Sequence, residues 1–176
     1  MGERGATLIE MVLIIVLIGI IGAIAANAFL YASKSVMTAN SVREAAQVNR
    51  LGLDRMVREI RNVQSNRCVA VANANTFTFV DGQNNTIAYS WAGGAGNPLM
   101  RNADTLIGSV NNLTFTYYNS ADPAVAIAVP TVCASPNTCS QTICATTNIW
   151  YMRIDLTTVS GGETVQLRSQ AHPRNF

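Results

Sequence analysis

Gly5-Ala6-Thr7-Leu8-Ile9-Glu10 leads into 23 positions, Met11 to Ser33, without a charged side chain, and the rest of the chain is arranged around this stretch. Ile, Leu, Val and Ala dominate the run. A helix needs roughly 20 consecutive apolar residues to cross the hydrocarbon core of a bilayer. The run therefore predicts a membrane-spanning helix with one carboxylate, Glu10, at its entrance.

The residues in front of this span differ from those of a secretory signal peptide. A signal peptide has a basic leader, a shorter apolar core and a cleavage site of small residues behind that core. Here the leader is Met1-Gly2-Glu3-Arg4-Gly5, and no such site with a change of composition follows the apolar run. The pattern therefore favours a membrane anchor over a secretory signal.

Arg4-Gly5, followed by Ala6-Thr7-Leu8-Ile9-Glu10, resembles the processing site of type IV prepilins and type II secretion pseudopilins. In that family a prepilin peptidase cuts after the glycine, on the cytoplasmic side, and methylates the new N-terminus. The resemblance implies a leader of residues 1–5 and a mature chain that begins at Ala6, with Gly5 and Ala6 as the processing site. Position 6 departs from the family's pattern, because a larger apolar residue, usually Phe, is more common there.

Glu10 is the first candidate functional residue. A carboxylate at the edge of an apolar span is costly to bury and is usually paired or functional. Ala6 lies one helical turn away and would carry a positive amine after cleavage, which can neutralise Glu10 within one chain or between neighbours in a filament. In the simpler alternative, Glu10 is solvated in the headgroup layer. The resemblance favours the assembly role.

The composition indicates one modest exported domain. About 140 of the 176 residues lie beyond the span, which is enough for a single domain. Charged residues make up 12% of the chain, against roughly 25% in ordinary soluble proteins, and Asn and Thr are abundant. A net charge of +2 gives no strong attraction to nucleic acid, so no specific nucleic-acid partner is expected.

Cys68, Cys133, Cys139 and Cys144 predict disulfides if the domain is exported. Four cysteines allow three pairings, and the sequence does not choose among them. We expect at least one bridge among the last three, with Cys68 as partner of the remaining one. The metal alternative is weaker, because these spacings do not match paired zinc knuckles and no histidine lies nearby. No metal site and no cofactor are predicted.

The helix is predicted to continue past the span, because apolar residues recur at steps of three and four. The face defined in this way contains Val42, Ala45, Ala46, Asn49, Leu53, Met56, Val57, Ile60 and Val63, of which Asn49 is polar. The opposite face carries Arg43, Arg50, Asp54, Arg58 and Arg61. We expect one helix from about Ala6 to Val63, with residues 6–33 as its transmembrane and assembly half and residues 34–66 as its amphipathic half.

Behind the helix the pattern changes to short, alternating segments typical of β-strands. The predicted strands are Thr76–Val80, Thr86–Trp91, a short one at Pro98–Arg101, Leu113–Tyr118, Asn148–Thr157 and Glu163–Arg168. Residues 119–147 are predicted to form a long loop and residues 169–176 an irregular tail. Strands without intervening helices indicate an α+β class, with an antiparallel sheet packed on the second half of the helix. Residues 67–176 would form one β-rich domain together with residues 34–66.

This order of elements is similar to that of pilins, and most of all to J-type minor pseudopilins and PilW-like minor pilins. The resemblance implies a pilin fold and a minor subunit that primes or caps a type IV pilus or a type II secretion pseudopilus. It implies three partners: the prepilin peptidase, other subunits that bind through the helix, and inner-membrane lipid before assembly. The globular domain would lie in the bacterial periplasm.

Two other functional classes stay open. The first is a pilus-tip binding protein, either an adhesin or a DNA-uptake component that uses exposed loops. The second is a single-pass envelope protein that never polymerises. An enzyme is not expected, because the chain has one histidine, His172, and no G-x-S-x-G, paired metal ligands or phosphate loop. Trp91 and Trp150 fall in predicted strands and are assigned to core packing.

Overall fold

The computed structural model describes residues 7–65, 68–119 and 149–174 of the chain. One helix comes first, α1 (Leu8–Arg61). The strands that follow within the described residues are β1 (Val69–Ala72), β2 (Thr76–Val80), β3 (Thr86–Trp91), β4 (Asn97–Arg101), β5 (Asp104–Val110), β6 (Asn112–Tyr118), β7 (Tyr151–Ser160) and β8 (Glu163–Ala171). The predicted α+β class is confirmed, because all strand pairs are antiparallel and the helix packs on them.

Helix α1 has 54 residues and is therefore about 81 Å long at 1.5 Å per residue. It begins behind Thr7, whose carbonyl accepts hydrogen bonds from the backbone N–H of Glu10 (3.0 Å) and Met11 (3.2 Å). The prediction of one continuous helix is confirmed, but the helix ends at Arg61 and not at Val63. The N–H of Asn62 bonds to the carbonyl of Glu59 at 3.0 Å, a tightened last turn that closes the helix.

The two halves of α1 differ in burial. Asn49, Leu53, Met56 and Ile60 are buried, so the predicted amphipathic face is the one that meets the sheets. The predicted charged face is exposed along its whole length. The helix contacts β5, β7 and β8.

The strands form two antiparallel sheets rather than the single sheet that was predicted. The first sheet has the order β1-β2-β3-β4-β5 and the second the order β6-β7-β8. The chain changes sheet at Asn111, between β5 and β6, because the Asn111 N–H donates to the carbonyl of Thr157 in β7 at 2.8 Å. From that point β6 follows β7 in continuous register, from Asn112 opposite Thr157 to Tyr118 opposite Tyr151.

The predicted strands are present, and the structure adds two. The unpredicted β1 and β5 have weak signals, since Val69–Ala72 does not alternate in polarity and β5 contains Gly108. The predicted irregular tail is wrong at its start, because β8 pairs with β7 as far as Ala171. The predicted loop at 119–147 lies, apart from Asn119, outside the described residues.

The core lies where α1 and both sheets meet. Its largest side chains are aromatic, with Phe77 5.3 Å from Phe79, 6.3 Å from Phe115 and 5.9 Å from Tyr117 between ring centroids. Phe77 thereby links the two sheets. Trp91 is 9% exposed, as predicted, but Trp150 precedes β7 and is 49% exposed, so its assignment to a strand and to the core is wrong.

Candidate assembly surface

Residues 8–37 of α1, which we call the stem, carry an extended apolar surface that none of the described residues covers. Its large apolar side chains range from 44% exposed at Ile14 to 83% at Leu8. An apolar surface of this extent requires lipid or protein to cover it. The helix is long and apolar enough to cross a membrane. The stem therefore has the composition of a single membrane span.

Glu10 lies in the first turn of α1 and is exposed. It is the only charged residue between Leu8 and Ser33, so it stands alone at one end of the apolar surface. Gly5 and Ala6 lie outside the described residues, and the pairing of an amine at Ala6 with Glu10 stays a prediction.

The end of the globular part nearer the stem is fixed to α1 by polar contacts with β7. The side-chain amide of Asn49 donates to Oγ1 of Thr158 at 2.7 Å, and both residues are buried. The hydroxyl of Ser160 donates to the carbonyl of Ser41 at 3.1 Å. A buried side-chain bond and a bond to a backbone carbonyl are both lost if the helix slides or turns. These two bonds therefore set the axial position and the rotation of α1 relative to the second sheet.

The far end of α1 is fixed by a cluster of charged groups around Glu59. Nε of Arg101 donates to both carboxylate oxygens of Glu59, at 2.8 and 3.1 Å, and Nε of Arg55 donates to one of them at 3.0 Å. The hydroxyl of Tyr89 donates to the same carboxylate. Glu59 thereby connects the last turns of the helix to β3 and β4 of the first sheet.

Electrostatics keep this cluster charged. Burial raises the pKa of Glu59, but the hydrogen bonds from Arg101, Tyr89 and Arg55 more than offset it, so that its pKa lies below the ordinary value. Burial first, and then the neighbouring Glu59, raise the pKa of Tyr89 above its usual range. Glu59 is therefore an anion and Tyr89 a neutral donor at neutral pH.

Sequence reasoning did not identify Glu59, Tyr89 and Arg101. Tyr89 lies 30 residues and Arg101 lies 42 residues after Glu59 in the chain, so no local spacing connects the three. One signal in the sequence could have pointed to Glu59. It directly precedes Ile60, so it lies at the border of the buried face of α1, where a carboxylate can reach the sheet.

A polar pocket of about 710 Å³ opens beside this cluster, at the end of the globular part that lies far from the stem. Half of its lining residues carry side-chain amides, namely Asn62, Gln83, Asn84, Asn85 and Asn102, and the others are Glu59, Asp81, Thr86, Ile87 and Arg101. Asn84 (φ 64°) and Asn102 (φ 54°) occupy the left-handed region, where Asn is tolerated better than most residues. Asp81 is 7% exposed, and one of its oxygens accepts hydrogen bonds from the backbone N–H of Gln83 and Asn85, each at 2.8 Å.

Cys68 is 4% exposed and takes part in a disulfide. Cys133, Cys139 and Cys144 lie outside the described residues, so the pairing stays a prediction. Among the described residues, no three His, Cys, Asp or Glu side chains are grouped as metal ligands.

Comparison with known proteins gives no match: no protein-family model, no curated protein and no solved structure matches the chain.

Proposed function

We propose that the chain is a minor pilin-like subunit that primes or caps a type IV pilus or a type II secretion pseudopilus. The observation that carries the proposal is the stem, an uncovered apolar helix with one carboxylate at its entrance, continuous with a helix that is embedded in a β-rich globular part. A helix of this kind is covered by lipid before assembly and by other helices afterwards.

The fixation of α1 supports this role. Asn49 and Thr158 hold the helix at one end of the globular part, and Glu59 and Arg101 hold it at the other. The helix and the globular part therefore move together, so that packing of the stem among its neighbours also sets the orientation of the globular part. If a flexible linker joined the stem to the globular part, packing of the stem would not determine the orientation of the globular part.

Glu10 supplies the register in this proposal. After cleavage, each subunit would bring one carboxylate and one amine, four residues apart, into an apolar bundle. A shift by one turn would separate the charges and leave both desolvated, which is strongly unfavourable. The charge pair would therefore select one axial position for each subunit.

The second candidate function is a pilus-tip binding protein. The amide-lined pocket beside Glu59 favours it, because the pocket lies at the end of α1 opposite the stem and would point away from the membrane. Side-chain amides offer both hydrogen-bond donors and acceptors to polar ligands. Substitutions in the pocket, such as Gln83→Ala, would separate the two functions: a structural subunit would still assemble its filament normally, whereas a binding protein would lose adhesion or DNA uptake in an intact filament.

The test of the proposed function is the processing of the N-terminus. Mass spectrometry of membrane-purified protein should show a chain that begins at Ala6 and carries a methyl group. Gly5→Leu should insert into the membrane and remain uncut, whereas Gly2→Leu, a matched change within the leader, should be cut normally. An intact Met1 in the wild-type protein, or cleavage near Ala26, would contradict the proposal.

A further inference from the structure

The end of α1 that lies far from the stem carries a second pocket, of about 370 Å³, which we call the arginine pocket. It is lined by three arginines together with Glu59 and Asn62. Arg58 and Arg61 lie in the last turn of α1, three positions apart and hence neighbours on the helix surface. Arg174 follows β8, and its backbone N–H donates to the carbonyl of Arg61 at 3.2 Å. The fold therefore brings a cation from behind β8 to the two cations at the end of the helix.

The three arginines of this pocket are not neutralised by the rest of the described chain. Their guanidinium groups form no hydrogen bond or ion pair there, since the ion pairs of the described residues join other arginines to Glu59 and Asp155. Glu59 is the only acidic residue among the described residues that line the pocket. Its carboxylate already accepts hydrogen bonds from Arg55, Arg101 and Tyr89. Like charges around one space repel one another, and a bound anion would relieve this repulsion.

Guanidinium groups recognise a particular kind of anion. An arginine side chain presents its N–H donors in a planar fork, which matches the paired oxygens of a carboxylate, sulfate or phosphate group. Such charge-assisted hydrogen bonds are shorter and roughly twice as strong as neutral ones. An oxyanion is therefore the chemical group that the arginine pocket fits.

The arginine pocket adjoins the amide-lined pocket, because Glu59 and Asn62 line both. Asn62, Gln83 and Asn84 are exposed there, and their side-chain amides have no hydrogen bond within the described part of the chain. An amide offers a donor and an acceptor, and so complements a sugar hydroxyl, which is also both. Four arginines and two carboxylates line the two pockets, so the combined lining has a net charge of +2. Groups that bind hydroxyls and groups that bind anions therefore lie side by side.

Nucleic acid fits this surface less well than an acidic saccharide does. Proteins that hold single strands provide aromatic side chains on which the bases stack. Among the described residues that line the two pockets, none is aromatic. A net charge of +2 on the lining also supplies little of the positive charge that a phosphate backbone requires.

We infer that the two pockets together bind an acidic saccharide. Its hydroxyls contact the side-chain amides, and its carboxylate or sulfate contacts Arg58, Arg61 and Arg174. For its biological use the inference rests on the second candidate function, a binding protein at the tip of a filament, and it names the class of ligand for that site. The binding itself needs neither processing at Gly5 nor assembly, so it can be measured on the purified full-length chain.

Isothermal titration of the full chain in nanodiscs of zwitterionic lipid tests the inference without competing lipid charge. The probes are trigalacturonate, its neutral methyl ester and a sulfated trisaccharide. At least one of the two acidic sugars should bind, and the tighter one identifies the oxyanion. The methyl ester keeps the hydroxyls and lacks the charge, so it should bind weaker than trigalacturonate by on the order of tenfold, if the carboxylate is the oxyanion. The inference is overturned if neither acidic sugar binds at millimolar concentration, or if a single-stranded DNA of equal charge binds as tightly.

Arginine substitutions separate a built site from general attraction between charges. Arg61→Gln and Arg174→Gln should each weaken binding of the acidic sugar on the order of tenfold, because each removes a charge-assisted contact. Arg50→Gln is the matched control, since Arg50 is exposed on the same helix and lines neither pocket. It should leave the affinity unchanged. Equal losses in all three variants would mean that charge alone attracts the sugar, which overturns the inference.

The amides have a test of their own. Asn84 has a φ of 64°, which glycine adopts without strain, so the double variant Gln83→Ala/Asn84→Gly deletes two amides and preserves the turn. It should weaken binding of the acidic sugar severalfold, and an unchanged affinity would contradict recognition of the hydroxyls. If Gly5 is cut in the wild-type chain but no acidic sugar binds, this inference alone fails. If the sugar binds and Met1 is intact, the proposed filament role fails and the saccharide site stands.

Discussion

Asn49 in α1 and Thr158 in β7 form a buried side-chain hydrogen bond of 2.7 Å, and each residue is 3% exposed. The two positions are 109 residues apart in the chain. In an apolar interface such a bond is satisfied at one relative placement of helix and sheet, since any slip leaves two polar groups without partners. The pair therefore fixes how α1 lies on the second sheet.

Thr158→Val should lower the free energy of unfolding by about 1–3 kcal/mol, because it leaves the buried amide of Asn49 without its acceptor. Thr158→Ser keeps the hydroxyl and is the matched control. The double variant Asn49→Leu/Thr158→Val removes both polar groups and should recover part of the loss. Urea unfolding of the detergent-solubilised chain, followed by tryptophan fluorescence, measures all three. A Thr158→Val variant as stable as wild type would show that the bond does not contribute.

Gly161 and Gly162, in the turn between β7 and β8, make a matched pair for a second prediction. Both have positive φ, 60° and 84°, so an alanine at either position costs about 1 kcal/mol in backbone strain. A Cβ at Gly161 would also lie 2.5 Å from Oγ of Ser41 and 3.2 Å from Cγ2 of Thr38, whereas Gly162 has free space. Gly161→Ala should therefore be less stable than Gly162→Ala by about 1–3 kcal/mol in the same urea assay. If the two variants lost the same free energy of unfolding, the turn could move away from α1 without any loss of stability.

The parts of the fold that follow from local pattern were predictable. The buried face with Leu53, Met56 and Ile60 follows from apolar residues at helical spacing, and the strand Thr76–Val80 from alternation. The division into two sheets was not predictable, because it depends on the pairing of β6 with β7, which brings Asn112 opposite Thr157 although the two lie far apart in the chain.

The candidate site also has one part that local sequence pattern predicts and another that it does not. Glu10 was identified because a lone carboxylate in an apolar run is a local signal. The cluster of Glu59 with Tyr89 and Arg101 was missed because it joins a helix to two strands whose register the sequence does not specify. Trp150 was assigned to the core because aromatic residues favour strands, but β7 begins one residue later.

The Glu59 cluster predicts a loss of stability in acid. The folded-state pKa of Glu59 lies below its ordinary value of 4.5, so its ionised form stabilises the fold above that pH. As the pH falls below 4.5 and through the lowered pKa, protonation of Glu59 removes this contribution. Glu59→Gln should be less stable than wild type at pH 7 and should show a smaller further loss in acid. Urea midpoints measured between about pH 3 and pH 7 test both statements.

Asp155→Asn is the matched control for this pH dependence. Burial raises the pKa of Asp155, but hydrogen bonds from Arg168 and Arg153 outweigh it and leave the pKa below its ordinary value of 3.8. Its contribution therefore begins to fall only as the pH drops below 3.8, whereas that of Glu59 begins to fall below pH 4.5. If Asp155→Asn removed the loss of stability that begins near pH 4.5, while Glu59→Gln preserved it, the assignment to Glu59 would be wrong.

The disulfide of Cys68 gives a prediction that peptide mapping can resolve. Without reductant, Cys68 should be recovered linked to Cys133, Cys139 or Cys144, with the other two bridged to each other. Closing a long loop restricts the unfolded chain, so reduction should cost about 2–4 kcal/mol of stability. Cys68→Ser should reproduce most of this loss. Four free thiols in protein purified without reductant would contradict the prediction.

Glu10→Ala should separate membrane insertion from assembly. The variant should insert, because it removes a charge from an apolar span. In the proposed function the cut would depend mainly on Gly5, so the variant should also be cut. It should co-purify poorly with its neighbours, since an amine left unpaired in an apolar bundle costs about 3–5 kcal/mol. Asp54→Asn, which removes an exposed carboxylate from the solvent face of the same helix, is the matched control and should co-purify normally. Recovery of neighbouring subunits with Glu10→Ala at the wild-type yield, from membranes in which the N-terminus is processed, would show that the carboxylate does not set the register.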